Sequence, residues 1–341
     1  MPFSLLVQGY PKTDVPVAQV QGPALQGMFL HLMQAVDPAV SARLHNDDKY
    51  RPYTLSPLGI GEPSKGFQGF WLPRESRLQS GAPCYLRITL LEDALFPTFG
   101  RYFLDRAELT FVLGETEFVV TGVMNESTHP VPLPGGRAVK FSYLVEKQDV
   151  ARSHAPRGNA KAGRSASLAA ERQIPRSDAE RRNENLTALL PGGEFQWSQY
   201  LSYAELINRA SQTNRQISLR FLTPTSFRRG KVDFPLPDPR LVFQSYRKRF
   251  EEFYAVAFLP DFEEQVEFHT GIANLKHLAT EIIKTKNVSL LGFTGRVTYE
   301  IDRHASPDLI FQMNLLAEYA FFCGTGRKTT VGMGQTIRIK N

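Results

Sequence analysis

Cys323-Gly324-Thr325-Gly326-Arg327-Lys328-Thr329-Thr330-Val331-Gly332-Met333-Gly334-Gln335 places four glycines in eleven residues around a basic pair. Glycine accepts positive φ and lets backbone approach a ligand closely. Successive amides in such turns form anion-binding nests, and Arg327 and Lys328 add charge suited to phosphates. Two better-known glycine loops are excluded. A P-loop needs Gly-Lys-Ser/Thr after a strand, whereas Arg327 follows Gly326 and the preceding segment is helical. A dinucleotide fingerprint needs a third glycine where Thr329 stands. Composition alone leaves a plain turn between helix and strand equally open.

Outward from this stretch, Leu309 to Phe322 reads as a helix with Leu309, Phe311, Leu315, Leu316, Tyr319 and Phe322 apolar, stopped by Gly324. Thr336 to Ile339 reads as a closing strand. Upstream, Ile217–Phe221 and Val288–Ile301 read as strands, Pro239–Ala257 as a helix and Ile272–Ile283 as a second helix candidate. The N-terminal half follows the same plan. Phe3–Val7 is a strand, and a helix opens at Gly22-Pro23 with Ala24, Leu25, Met28, Phe29, Leu32 and Val36 on one face. Asp37-Pro38 starts a short helix that ends near Leu44-His45. Tyr53–Leu58, Tyr85–Leu90, Leu109–Val112 and Phe118–Val123 are strands, with a helix over 92–105. The expected fold class is α+β, tandem ferredoxin-like (RRM-like) domains with a C-terminal glycine-rich loop.

The chain has 341 residues and a net charge of +6, which favours a polyanionic partner. Residues 151–190 carry eight Arg/Lys against four Asp/Glu, so this segment supplies +4 of the total. Its Arg/Ser/Ala/Asn/Gly composition reads as a basic flexible insert. The expected division is 1–149, insert 150–193, and 194–341. Cys84 and Cys323 lie far apart, which suits neither a disulfide framework nor a cysteine zinc site. No apolar stretch reaches the ~20 residues of a spanning helix, and the N-terminus lacks the basic region of a signal peptide. The expectation is a cytoplasmic protein with no membrane, no metal and no cofactor.

Four pieces of the chain together resemble one family. The glycine-rich stretch is similar to the C-terminal loop of the CRISPR-associated repeat-processing endoribonucleases of the RAMP superfamily. Leu222-Thr223-Pro224-Thr225-Ser226-Phe227-Arg228 resembles the family's T-P-T-x-F strand. Phe234-Pro-Leu-Pro237-x-Pro239-x-Leu241-Val-Phe243-x-Ser245-Tyr246, with Arg249, resembles the helix that follows. Leu44-His45 and then Arg51-Pro52-Tyr53-Thr54-Leu55-Ser56-Pro57-Leu58 resemble the segment bearing the family's catalytic histidine. The likeness covers nearly the whole chain outside 150–193.

The resemblance implies RNA across the cleft between two ferredoxin-like domains, and one cut per CRISPR repeat in pre-crRNA to release guide RNAs. It implies attack by a ribose 2′-OH on the adjacent phosphate, leaving a 5′-OH and a cyclic phosphate, without metal. Such chemistry needs a group titrating near neutrality, and histidine starts at about 6.5. It also needs a cation to stabilise the phosphorane. The resemblance assigns the proton-transfer role to His45. The family's tyrosine from the first helix is replaced by His31, which equally suits the edge of the apolar face. Lys49 and Arg51 both fit the lysine expected after the histidine. The expected RNA contacts are Gly324, Gly326, Arg327, Lys328, Gly332 and Gly334 on a flexible, amide-rich hairpin, with Arg228, Arg229 and Lys231 beside it. His129, His154, His269, His277 and His304 form no metal or triad pattern. A second reading keeps the fold and the loop without the cut: a non-catalytic RNA-binding subunit among the proteins of a CRISPR effector complex.

Overall fold

The computed structural model describes residues 2–46, 50–61, 76–104, 109–124, 131–132, 138–139, 199–284 and 289–339. Lys49, His129, His154 and the 150–193 segment lie outside these residues.

The first unit is built on β1 (Phe3–Pro11). Phe3, Leu5 and Val7 point into one core, while Leu6 joins the core of the second unit. The run is apolar without alternation because both sheet faces are covered. Helix α1 (Pro23–Val36) buries Leu25, Met28, Phe29, Leu32 and Met33 against the sheet. Asp37 ends it and starts α2 (Pro38–Asn46), its carboxylate accepting from the Ala39 and Val40 amides at 3.0 and 3.1 Å. Strands β2 (Tyr53–Leu55) and β3 (Cys84–Leu90), helix α3 (Leu95–Leu104), and strands β4 (Thr110–Leu113) and β5 (Thr116–Met124) complete the unit. The antiparallel order is β2-β3-β1-β5-β4.

Gly27 sits exposed inside α1, where an added Cβ meets nothing within 4 Å. Gly27→Ala is therefore expected to stabilise the protein by about 0.5–1 kcal/mol, through lost backbone freedom in the unfolded chain. A urea midpoint that fails to rise contradicts this.

The second unit begins with α4 (Tyr203–Arg209), opened by a Ser202/Glu205 capping box. It continues through β6 (Gln216–Thr225), the hairpin of β7 (Phe227–Arg229) and β8 (Val232–Phe234), α5 (Pro239–Phe253) and α6 (Phe262–His269). Strands β9 (Thr270–Lys284) and β10 (Ser289–Ile301), helix α7 (Pro307–Cys323) and β11 (Thr336–Ile339) close it. The antiparallel order is β9-β10-β6-β11, that of a ferredoxin-like unit with α5 and α7 as its two helices. Helix α7 is buried on nearly all sides, because it packs on α5 and β11 and also reaches β2 and β3 of the first unit. No helix among the described residues is long and apolar enough to cross a membrane.

Two expectations are corrected. The helix expected over Ile272–Ile283 is strand β9. Its register shifts between Ile272 and Asn274 and again between Lys276 and Ala279. Those bulges break the two-residue alternation and leave apolar residues at 272, 275, 278 and 282, a spacing that mimics a helix face. The helix beginning at Pro239 stops at Phe253, where Tyr254 turns to extended backbone and caps it on Phe250 O.

Candidate active site

The glycine-rich stretch is not an open hairpin. Residues 323–325 and 332–335 are buried, and the tip from Gly326 to Val331 carries its exposed surface, with Lys328 outermost. Gly326 and Gly334 show what the glycines do. Both have φ near +70°, and a Cβ on either would overlap a backbone carbonyl oxygen, that of Ser226 or of Thr325. The loop is pinched at its neck, where the Thr325 amide donates to Gly334 O at 2.8 Å.

The neighbouring motif segments hold it. The Arg327 amide donates to Ser226 O at 3.0 Å, the Gly334 amide to Pro224 O at 3.1 Å, and the Gln335 amide to Thr223 Oγ1 at 2.8 Å. From α5, Tyr246 Oη and Thr325 Oγ1 share a 2.6 Å bond, and Ser245 Oγ accepts from the Gly326 amide. Arg249, 8% exposed, donates to Gly324 O at 3.0 Å and to Gly326 O. Burial pushes the Tyr246 phenol well up, so it stays protonated. Arg327 is paired with Asp233, which also pairs with Arg228 at 3.4 Å.

The first unit meets this loop from the other side. Gln335 Nε2 donates to Leu55 O at 3.0 Å and Thr54 Oγ1 to Phe322 O at 3.3 Å. The short 3₁₀ turn Thr329–Val331 packs on β2 and on α1. Four stretches scattered over nearly 300 positions therefore form one assembly where the units join.

His45 lies exposed in the last turn of α2, anchored by buried Leu44. Arg43 beside it pairs with Glu92 at 2.8 Å. Arg51 Nη2 reaches His45 O at 3.4 Å and also interacts with the Tyr53 hydroxyl. Burial raises the Tyr53 pKa, opposed by the bond from Gln26 and by Arg51. Gln26 Nε2 donates to Tyr53 Oη at 3.1 Å, linking α1 to this strand. His45 and Arg51 are thus together. His31 is exposed on α1, and among the described residues no hydrogen bond or ion pair joins it to His45.

Arg228, Arg229 and Lys231 stand exposed on the β7–β8 hairpin. Arg229 pairs with Asp238 at 3.0 Å and lies 3.9 Å over the Phe234 ring. The two thiols supply no nucleophile: both are buried, and burial pushes each up to about 12. His269 and Asp302 share a 2.7 Å bond. Among the described residues no three His, Cys, Asp or Glu side chains cluster for a metal.

One group of cations escaped the sequence reading. Arg220 faces Arg296 across β6–β10, and Arg296 faces Lys276 across β10–β9. Burial and then Arg296 lower the Arg220 pKa. Beside this row Ser218 and Thr298 share a 2.8 Å hydroxyl bond, and a hollow of about 390 Å³ is lined by Gln216, Asn274, Lys276, Arg296, Thr298 and Glu300. Like charges in cross-strand register are unfavourable, and here Arg296 donates to Ser218 Oγ and Glu300 lines the same hollow. The clue in the sequence was Ser218 and Arg220 alternating with apolar Ile217, Leu219 and Phe221.

Two ferredoxin-like units meeting at a glycine-rich loop define a tandem ferredoxin-like α+β protein. The chain belongs to the Cas6 family of CRISPR-associated endoribonucleases: residues 1–144 match the family's N-terminal domain and residues 219–336 match the CRISPR-associated endoribonuclease Cas6 model. The CRISPR-associated endoribonuclease Cas6 of Streptococcus thermophilus is 26% identical over 134 residues, 38% of this chain and 53% of that protein. The match spans about half the length of that curated relative. Among solved structures, a Cas6 product complex superposes with a TM-score of 0.65 at 21% identity, covering 99% of this chain and 100% of the other. Thermus thermophilus Cas6 gives a TM-score of 0.59 at 20% identity, covering 99% and 98%. At such identities the likeness is one of fold.

Proposed function

We propose that this chain cuts CRISPR repeat RNA by attack of a 2′-OH on the neighbouring phosphate. The 2′-oxygen forms a bond to phosphorus as the bond to the 5′-oxygen breaks. The proton leaving the 2′-OH and the proton gained by the 5′-oxygen balance the step, giving 2′,3′-cyclic phosphate and 5′-OH ends without a metal. His45 transfers a proton at this phosphate. Arg51 and the loop tip, with Lys328 foremost, supply positive charge to the phosphorane. Arg228, Arg229 and Lys231 hold phosphates nearby, and Lys49 and His31 are the remaining candidates for assisting His45.

The observation that carries this reading is the contact of strand β2, which follows His45 and Arg51 in the chain, with the glycine-rich loop at the junction of the two units. The basic row Arg220-Arg296-Lys276 supports a path for further RNA along the second sheet. Its phosphate contacts would weaken with salt.

Repeat RNA incubated with the protein in EDTA tests the proposal. Cleavage is expected, with 5′-OH and cyclic phosphate ends, and a single 2′-deoxy nucleotide at the cut position blocks it. Cleavage that requires added magnesium removes the metal-free mechanism. Tight binding with no cut under any condition supports the non-catalytic effector subunit instead.

A further inference from the structure

A buried guanidinium sits where the His45 segment meets the glycine-rich loop. Arg87, in the middle of β3, is 1% exposed. Burial lowers its pKa to about 9, still above neutrality, so the charge persists. Among the described residues no carboxylate pairs with it. Nε donates to Ser4 Oγ at 2.8 Å, Nη1 to Gln335 Oε1 at 2.7 Å and Nη2 to Phe321 O at 2.6 Å. The guanidinium also lies 3.8 Å over the Phe321 ring. A buried charge without a counter-charge is costly, and an apolar side chain would fill the site more cheaply. The carbonyl it meets belongs to the last turn of α7, the negative end of that helix, which offsets part of the cost.

Gln335 extends the link. Its amide oxygen receives Arg87, its Nε2 donates to Leu55 O on β2, and its backbone amide donates to Thr223 Oγ1 on β6. Leu55 lies four residues after Arg51, and Gln335 is the last residue of the glycine-rich stretch. The Arg87–Gln335 pair therefore ties the strands β3 and β2, the second of which follows His45 and Arg51 in the chain, to the end of the glycine-rich loop.

We propose that Arg87 and Gln335 are positioning residues: a latch that fixes the glycine-rich loop in register with the His45–Tyr53 segment. The inference rests on the ribonuclease reading above. Neither residue touches RNA, and each acts through the spacing between the two halves of the site.

The test uses the full chain with Arg87→Lys, Gln335→Met and both, at a temperature where circular dichroism and urea curves show each variant folded. Single-turnover cleavage at saturating repeat RNA is compared with RNA affinity. Each single variant is expected to lose roughly 100-fold in rate, as for an ångström-scale misplacement, with affinity kept within about threefold. The double variant should be no slower than the slower single one, because both substitutions cut one link. Folded variants that cut at the wild-type rate overturn the latch, and so do losses that multiply in the double variant. Hydrogen exchange of the 324–335 amides reads the latch without any cleavage. Faster exchange in both single variants supports it, and unchanged exchange overturns it. A wild-type chain that cuts nothing sinks the ribonuclease reading, and the exchange result alone then decides the latch.

Discussion

His45→Ala is expected to lower the cleavage rate of repeat RNA by about 10²–10⁴-fold, the range a positioned acid or base supplies, while RNA affinity and stability stay close to wild type. The side chain is exposed at the end of α2, so removing it opens no cavity. Surface substitutions of this kind usually stay within about 0.5 kcal/mol. The helix end keeps its other anchors: buried Leu44 below and the Arg43–Glu92 pair alongside. Arg51 bonds to the His45 carbonyl rather than to its ring, so it remains in place when the imidazole goes. Single-turnover kinetics and filter binding on the same preparation separate the chemical step from binding. His31→Ala and Arg51→Ala measured alongside divide the labour. A rate loss below tenfold for His45→Ala, beside a larger loss for either of the others, moves the proton-transfer role away from His45.

Much of the framework around the candidate site was legible in the sequence because its parts carry local signatures. The Pro23 and Pro38 starts, the Asp37 break and the Gly324 stop are helix-end chemistry, and the structure has all four. The glycine-rich stretch was legible as special, but its glycines were assigned to a ligand. Gly326 and Gly334 answer first to Ser226 and Thr325 of this chain, against which they lie too closely for any side chain. Tertiary partners decide that difference, and no local pattern reports them. The same holds for Arg87, which in sequence is one arginine inside a strand. Its bonds to Phe321 and Gln335 span more than 230 positions. Strand β9 failed for another reason: two bulges rephased its apolar residues, and a periodicity argument has no means of seeing a bulge.

The row Arg220-Arg296-Lys276 marks the same limit from the functional side. Each residue belongs to a different strand, and only the register of β6, β10 and β9 makes them neighbours. Leu6 and Tyr85 of the first unit share a core with Ile337 of β11, the strand on the other side of β6. The same face of β6 thus runs from an apolar junction with the first unit to a basic row.

Gly334→Ala is expected to destabilise the protein by about 4 kcal/mol, near the top of the range for single substitutions. Two terms add. The backbone at 334 has φ +71°, where a non-glycine residue costs roughly 1–2 kcal/mol. The new Cβ would also overlap the Thr325 carbonyl, whose residue has little room to yield. Thr325 is bonded through its hydroxyl to Tyr246 at 2.6 Å and to Thr336 at 2.7 Å, and its amide donates to Gly334 O. Pushing it away strains the seat of the loop on α5 and the start of β11 together. Gly230, in the β7–β8 turn, separates the two terms. Its φ is +57° but nothing lies within 4 Å of an added Cβ. Gly230→Ala should therefore cost only the conformational term, about 1 kcal/mol. Urea unfolding of both variants checks the difference. Equal losses would mean that left-handed backbone alone explains the glycines and that the neck of the loop can relax around a methyl group. A larger loss at Gly334 means the loop is built as a closed, packed element, which offers an RNA only its Gly326–Val331 tip.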